Sequence, residues 1–416
     1  MNPMRGTRRS RLAPALAASA MIAAAVLSGC ADDSSDSSTP SETAAPAASF
    51  PGKVASGTPI KIGLINNEGG QAISEPDNRM AAEAAATYAN EQLGGIGGHP
   101  VELVVCKNGE EPASARDCAN RMVESKVSAV VVTTTGQGDV MVPIVTGAGI
   151  PYVSASGQSM QELTGNDVFL WTGGFPSSLQ AMATHAKSEN MKHVTAFTID
   201  VPAAVNGLKA IGVPAFKANG IDLKVVTIPP GTPDATPQVS AGLADSPEGV
   251  VVVGEGTLCT AALKSLGTLG FSGEKMGIQA CATPDVVDAV GSSIDGTKIF
   301  TAAQTTGDNP EATLYRSVIA KYAPDTDISG YAYVGYQGVL GLVRATTSLE
   351  GADTSPSAVT AAIRSARDVT LPAGDGLTFT CDGSANPMMK AVCGKGSVVA
   401  TLKDGQLVDA EIVGRQ

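Results

Sequence analysis

The chain has 416 residues, a formal net charge of −12, 47 glycines and only 4% aromatic residues. So acidic a protein is poorly suited to nucleic acid or to flat docking on anionic lipid, and so few rings leave little for stacking on sugars. Once the amino-terminal segments are set aside, the length suits two domains.

Residues 1–29 read as an export signal. Arg5, Arg8, Arg9 and Arg11 form a basic start, followed by an apolar, alanine-rich run over 12–26. That run is too short for a comfortable transmembrane helix, which needs about 20 residues. Removing the four arginines takes the mature chain to −16. The signal ends in Leu27-Ser28-Gly29-Cys30, which resembles the lipobox of bacterial lipoproteins. The resemblance implies cleavage before Cys30, lipid on its thiol, and anchoring on the outer face of a cytoplasmic membrane. Arg8-Arg9 weakly resembles a twin-arginine signal, so either export route stays open. Residues 31–57 are rich in Ser, Thr, Asp, Ala and Pro, and read as a disordered tether.

From residue 58 strands and helices alternate. Strands are expected over 60–65, 101–105, 129–132, 152–153 and 168–171, with helices over 77–93, 113–125 and 139–146. The glycines at 94, 95, 97 and 98 follow a helix and precede a strand, so they end a helix rather than cradle a dinucleotide. A glycine-containing crossing at 172–178 leads to a second series. Its strands are expected over 194–199, 223–228, 249–253, 277–279 and 298–300, and its helices near 203–217, 257–269 and 285–290. Three helical stretches follow (311–321, 330–349, 356–367), then extended segments near 376–380, 397–402 and 406–408. Two successive series of this kind suggest two similar lobes facing a cleft.

Beyond Cys30, six cysteines remain in an exported chain, which points to disulfides. Sequential pairing is the natural one: Cys106 with Cys118, Cys259 with Cys281, and Cys381 with Cys393. Each bridge is worth about 3 kcal/mol on the loop-entropy account.

The strand ends at 132 and 153 run into small residues: Thr133, Thr134, Thr135 and Gly136, then Ser154, Ser156 and Gly157. In a parallel sheet these ends lie side by side where ligands bind. Short hydroxyls and bare N–H groups beside a helix start at Asp139 would suit a carboxylate or phosphate. Asn67, Glu68 and Gln71 in the first loop, with Asp200 and Gln279 across the gap, are further candidates.

The ordered segments IKIGLINNEGG, AAEAAATYANEQLGGIGGHPVELVVC, ARDCANRMVESKVSAVVV and GIPYVSAS are similar to those of the type I periplasmic binding proteins, specifically the branched-chain amino-acid-binding branch. The resemblance implies two Rossmann-like α/β lobes joined by a multi-crossing hinge, with lobe 1 from 58–175 and 304–367 and lobe 2 from 176–303 and 368–416. It places crossings near 172–178, 302–308 and 367–374. It also implies a small polar ligand, an amino acid or analogue, delivered to ABC permease subunits. The matching ligand positions are Thr134, Thr135 and Gly136, then Ser156, Gly157, Gln158 and Ser159, with Gln158 and Ser159 competing for one slot. Glu255 beside Gly256 matches the acid that meets the ligand amine. An acid there also suits a helix start. Gln71-Ala72-Ile73-Ser74 and Val205-Asn206-Gly207 lack the family's usual aromatics, which implies a more polar pocket or a different ligand. Tyr331, Tyr333 and Tyr336 lie on one expected helix; core packing is expected for most of them and for Trp171.

No enzyme motif, metal set or cofactor loop is present. His99, His185 and His193 stand apart, and Glu110–Glu111 read as loop charges. The rival to transport is an extracytoplasmic sensor with a separate signalling partner, which needs the same closing cleft. An exported hydrolase is the weaker alternative.

Overall fold

The computed structural model describes residues 45–70, 74–328, 330–349, 351 and 353–414; Cys30 and Gln71 lie outside the described residues. The first series comprises β1 (Ile60–Asn67), α1 (Pro76–Gln92), β2 (Val101–Asn108), α2 (Pro112–Glu124), β3 (Ala129–Val132), α3 (Gly138–Gly147), β4 (Tyr152–Ser154), α4 (Met160–Thr164) and β5 (Val168–Leu170). These strands form a parallel sheet in the order β2-β1-β3-β4-β5. Such sheets are covered on both faces, which is why their strands read as continuous apolar runs. Ile60, Ile62 and Leu64 pack on the face that carries α1, while Ile65, Val130 and Val132 pack on the face that carries α2 and α3.

The second series runs through α5 (Gly174–Ser188), β6 (His193–Ile199), α6 (Pro202–Gly207), a π-helical turn (Leu208–Gly212), α7 (Val213–Ala218), β7 (Asp222–Ile228) and α8 (Thr236–Leu243). It continues with β8 (Gly249–Val253), α9 (Gly256–Thr268), β9 (Glu274–Ile278), α10 (Pro284–Val290) and β10 (Lys298–Thr301). Then come α11 (Pro310–Tyr322), α12 (Tyr333–Ala345), α13 (Pro356–Ser365), the short antiparallel pair β11 (Val369–Thr370) and β12 (Thr378–Phe379), and finally β13 (Ser397–Lys403) and β14 (Gln406–Val413). The second sheet has the order β14-β13-β10-β9-β8-β6-β7, with only β13 and β14 antiparallel to their neighbours. All of this belongs to one compact unit.

The chain passes between the sheets three times. It leaves β5 at Leu170 and enters α5, whose Leu179 and Met182 share a core with Phe300 and Val399 of the second sheet. The first crossing is therefore shorter than expected, because α5 already begins at Gly174. The second crossing lies between β10 and α11, and α11 and α12 pack with α1 on the first sheet.

The third crossing departs from expectation. Residues 369–393 stay with the first lobe: the Leu170 N–H donates to the Ala391 carbonyl at 2.9 Å, and the Cys393 N–H donates to the Leu170 carbonyl at 2.8 Å. Phe379 stacks on Trp171 with ring centroids 4.6 Å apart. The passage to the second sheet thus falls at Gly394–Gly396, not at 367–374. Gly394 is required there, since a Cβ would overlap the Trp171 carbonyl oxygen.

Three further segments differ from expectation. The expected tether is already packed from residue 45 onward: Phe50 meets Tyr88 edge-on at 5.5 Å, and the Gly52 N–H donates to Gln92 Oε1 at 2.9 Å. Phe50 is a large apolar side chain, and half-burying it against Tyr88 docks the chain on α1. The short helices α4 and α8 were not foreseen. The glycine turn after α1 does end a helix: Gly95 has φ +68, and a Cβ there would overlap the His99 carbonyl. Asn90 pins the turn, accepting from the Val101 N–H at 2.7 Å and donating to its carbonyl at 2.9 Å. The three sequential disulfides are all formed.

Candidate functional site

A cleft of about 480 Å³ opens between the carboxyl ends of the two parallel sheets. The first lobe contributes Thr134 after β3, Ala155–Gln158 after β4, and Tyr331, Tyr333 and Gln337 on or just before α12. Across it stand Val201 after β6, Val253 and Gly254 at β8, Ile278 and Gln279 at β9, and Phe300–Ala302 at β10. Phe175 of α5 closes the hinge end. Tyr331 stands between the lobes there, packed against the core of each. Gln337 ties α12 to the second crossing, donating to the Ala302 and Pro372 carbonyls at 3.1 and 2.9 Å.

Of the residues expected to bind ligand, the cleft gathers Thr134, Ser156, Gly157, Gln158 and Gln279. The others are engaged elsewhere. Asn67 is buried and accepts from the Asn108 amide at 3.2 Å. Glu68 forms ion pairs with Arg79 at 2.8 Å and Lys107 at 2.6 Å. The Arg79 guanidinium above all, with Lys107, holds its carboxyl down at about 2 against the opposing effect of burial. The Thr135 hydroxyl and the Gly136 N–H both donate to Glu110. Ser159 caps α4, its hydroxyl accepting from the Glu162 N–H at 3.3 Å. Asp200 is exposed, its N–H spent on the Ile228 carbonyl at 2.8 Å.

Glu255 is the clearest correction. Its carboxylate turns back on α9 and accepts the N–H groups of Thr257 and Leu258, so it is a helix cap. Gly256 is the first residue of that helix and does not reach the wall.

Three acids that were not among the expected ligand residues organise the first-lobe loops. Glu75 precedes α1 and accepts from the Thr134 hydroxyl at 2.9 Å and the Asn78 amide at 2.8 Å. Burial pushes its pKa above the ordinary carboxylate value. Glu110, expected to be a loop charge, also accepts from the Asn108 amide at 3.0 Å. Glu162 is 1% exposed; it accepts from the Tyr152 hydroxyl at 2.7 Å and from the N–H groups of Gln158 and Ser159 at 3.0 Å each. Only Glu162 had a legible signal, as the fourth residue of a capping box that begins at Ser159.

The walls are apolar for the most part, through Phe175, Val201, Val253, Ile278 and Phe300, so the more polar pocket anticipated from the missing aromatics is not found. Tyr331 and Tyr333 supply the rings instead, while Tyr336 and Trp171 are fully buried. Burial raises both cleft tyrosines, Tyr333 to about 12, and Glu75 adds to the effect. None of the described residues lining the cleft is Lys, Arg or His. Among the described residues no group of three or more His, Cys, Asp or Glu is placed to hold a metal, and no helix is long and apolar enough to cross a membrane.

Two α/β lobes, three connecting passages and a cleft at facing strand ends define a hinged, cleft-type binding protein. Residues 59–396 match the periplasmic binding protein family, and the chain belongs to it. Its fold is the type I fold of the branched-chain amino-acid-binding proteins. A leucine-binding protein of Thermotoga maritima superposes with a TM-score of 0.68 at 21% identity, over 85% of this chain and 99% of that one. The branched-chain amino acid transporter substrate-binding protein of Streptococcus pneumoniae, solved with isoleucine, gives 0.67 at 20% identity, over 86% and 100%. An ABC transporter substrate-binding protein of Sphaerobacter thermophilus gives 0.71 at 19% identity, over 86% and 96%. At these identities the likeness is one of fold. No curated protein sequence matches the chain.

Proposed function

We propose that the protein is the extracytoplasmic solute-binding component of an ABC-type importer. It is held to the membrane by lipid on Cys30 and binds an amino acid or a similar small polar molecule by closing its lobes. The observation that carries this reading is the cleft itself, lined from both sheets and spanned by three chain passages near its hinge end. Family membership supports it, as do fold relatives described as leucine-binding, isoleucine-bound and ABC-transporter proteins.

The mechanism is a population shift. A ligand that touches both walls gains contacts only in the closed form, and can favour closure by no more than that difference in affinity. Closure then presents a joint surface of both lobes to the permease. No covalent step is involved.

A melting-shift screen against amino acids, small peptides, amides, polyamines and sugars, followed by small-angle scattering, tests the reading. The expected result is a stabilising solute that also shrinks the radius of gyration. Stabilisation by none of these classes would remove it.

A further inference from the structure

The two walls of the cleft differ in chemistry. On the first lobe the polar side chains that keep accessible surface are Thr134, Ser156 and Gln158, in the loops after β3 and β4. The Thr134 hydroxyl donates its proton to Glu75, so its oxygen is left as an acceptor. Ser156 and Gln158 are engaged through their backbones: the Ser156 carbonyl accepts from the Ser154 hydroxyl at 2.8 Å, and the Gln158 N–H donates to Glu162 at 3.0 Å. Their side chains have no partner among the described residues, and a hydroxyl and a carboxamide can each donate and accept.

The second lobe presents the opposite surface. Its large half-buried side chains on the cleft are Phe175, Val201, Ile211 and Ile278, all apolar. The polar residues of that wall, Ser178, Gln279 and Thr301, are buried. None of the described residues lining either wall carries a charge. A free amino acid brings two charges, an ammonium and a carboxylate. Closing the lobes strips water from both, and a desolvated charge without a counter-charge costs several kcal/mol. The ammonium would meet apolar surface on one side and neutral dipoles on the other.

We propose that the cleft takes an uncharged amphipathic molecule. Its one polar end, a hydroxyl or carboxamide, is held by Ser156 and Gln158, and its apolar body lies against Phe175, Val201, Ile211 and Ile278. This rests on the solute-binding reading and narrows it, excluding the free amino acid, which is charged at both ends.

Calorimetry with solutes that share one branched apolar body tests it. The uncharged members are 3-methylbutanol and 3-methylbutanamide; 3-methylbutanoate, 3-methylbutylamine and leucine add a negative charge, a positive charge and both. The expected result is that an uncharged member binds at least about tenfold more tightly than each charged one. Gln158→Ala, at an exposed side chain, should weaken the amide about fivefold, the scale of one hydrogen bond. Gln158→Arg, which supplies a counter-charge at the polar end, should raise affinity for 3-methylbutanoate about tenfold. Leucine or another charged member binding the wild-type protein as tightly as the uncharged pair overturns the proposal and leaves solute binding intact. So does a response to sugars or peptides with none to the uncharged pair. No response to any solute removes both readings together.

Discussion

Glu162→Ala is the most demanding test of how the cleft wall is built. The substitution strips the acceptor from three donors at once: the Tyr152 hydroxyl, on a fully buried ring, and the backbone N–H groups of Gln158 and Ser159. Leaving a buried donor unpaired costs about 1–3 kcal/mol. Three of them set a gross loss of several kcal/mol, partly offset because the carboxylate itself no longer has to be buried. A net loss of about 3 kcal/mol is expected, read as a lower urea midpoint at unchanged slope.

The pH dependence sharpens the same test. Burial raises the Glu162 pKa above 4.5, so the folded state holds this proton more tightly than the unfolded one. Its contribution is fully present below the unfolded value and is lost as pH rises through the folded value. The deficit of the variant should therefore widen as pH falls from neutrality toward 4.5. Glu162→Gln, which keeps one acceptor oxygen, should lose less stability and show a similarly weakened pH response. A loss below about 1 kcal/mol for the alanine variant would mean that these donors find other partners, and the argument that Glu162 holds the Gln158–Ser159 loop would fail.

Glu68 should behave in the opposite sense. Its carboxyl is held near 2 rather than 4.5, so its stabilisation is present above 4.5 and disappears as pH falls from 4.5 through about 2. Glu68→Gln should flatten that limb of the unfolding curve, and an unchanged limb would discount the pair with Arg79. A Cβ at Gly335 would overlap the Asn78 carbonyl where α12 crosses α1, so Gly335→Ala should cost about 1–3 kcal/mol in a denaturant melt. Unaltered stability would show that the two helices can part freely. Glu255→Ala should lower stability by about 1 kcal/mol as a lost helix cap while leaving the ligand dissociation constant unchanged. A tenfold weaker constant would return Glu255 to the cleft.

Strands such as β3, β4 and β8 were legible because each is a short apolar run that turns into glycine or hydroxyl residues, whereas β9, expected over 277–279, lies at Glu274–Ile278, a more polar run. β8 reads Gly249–Val253 in both sequence and structure. The helix α4, at 5 residues, is too short to display a 3.6-residue period, and α8 was missed although the still shorter α10 was expected. The third crossing was misplaced because its position is set by a distant contact, Phe379 on Trp171, that local pattern cannot encode.

Among the candidate site residues, Thr134, Ser156 and Gln279 sit at strand ends, and the structure lines the cleft with them. The roles of Glu75 and Glu110 were not legible, since each depends on loops from separate βα units meeting in space. Glu255 shows the same limit in reverse. An acid beside glycines at a strand end fits a cleft or a helix cap equally well in sequence, and only the direction of the side chain decides.

Trp171 is the only tryptophan in the chain. It sits where β5 gives way to the first crossing, donates from its indole to the Gly338 carbonyl at 3.2 Å, and packs against the segment that carries the third crossing. Tryptophan fluorescence, excited selectively over the seven tyrosines, therefore comes from one emitter at the pivot, and a change in its spectrum on adding solute would report lobe rotation rather than an average over scattered fluorophores. Label-free optical titration is built into the molecule, which is useful where all six cysteines of the folded body are locked in disulfides and offer no thiol for a dye.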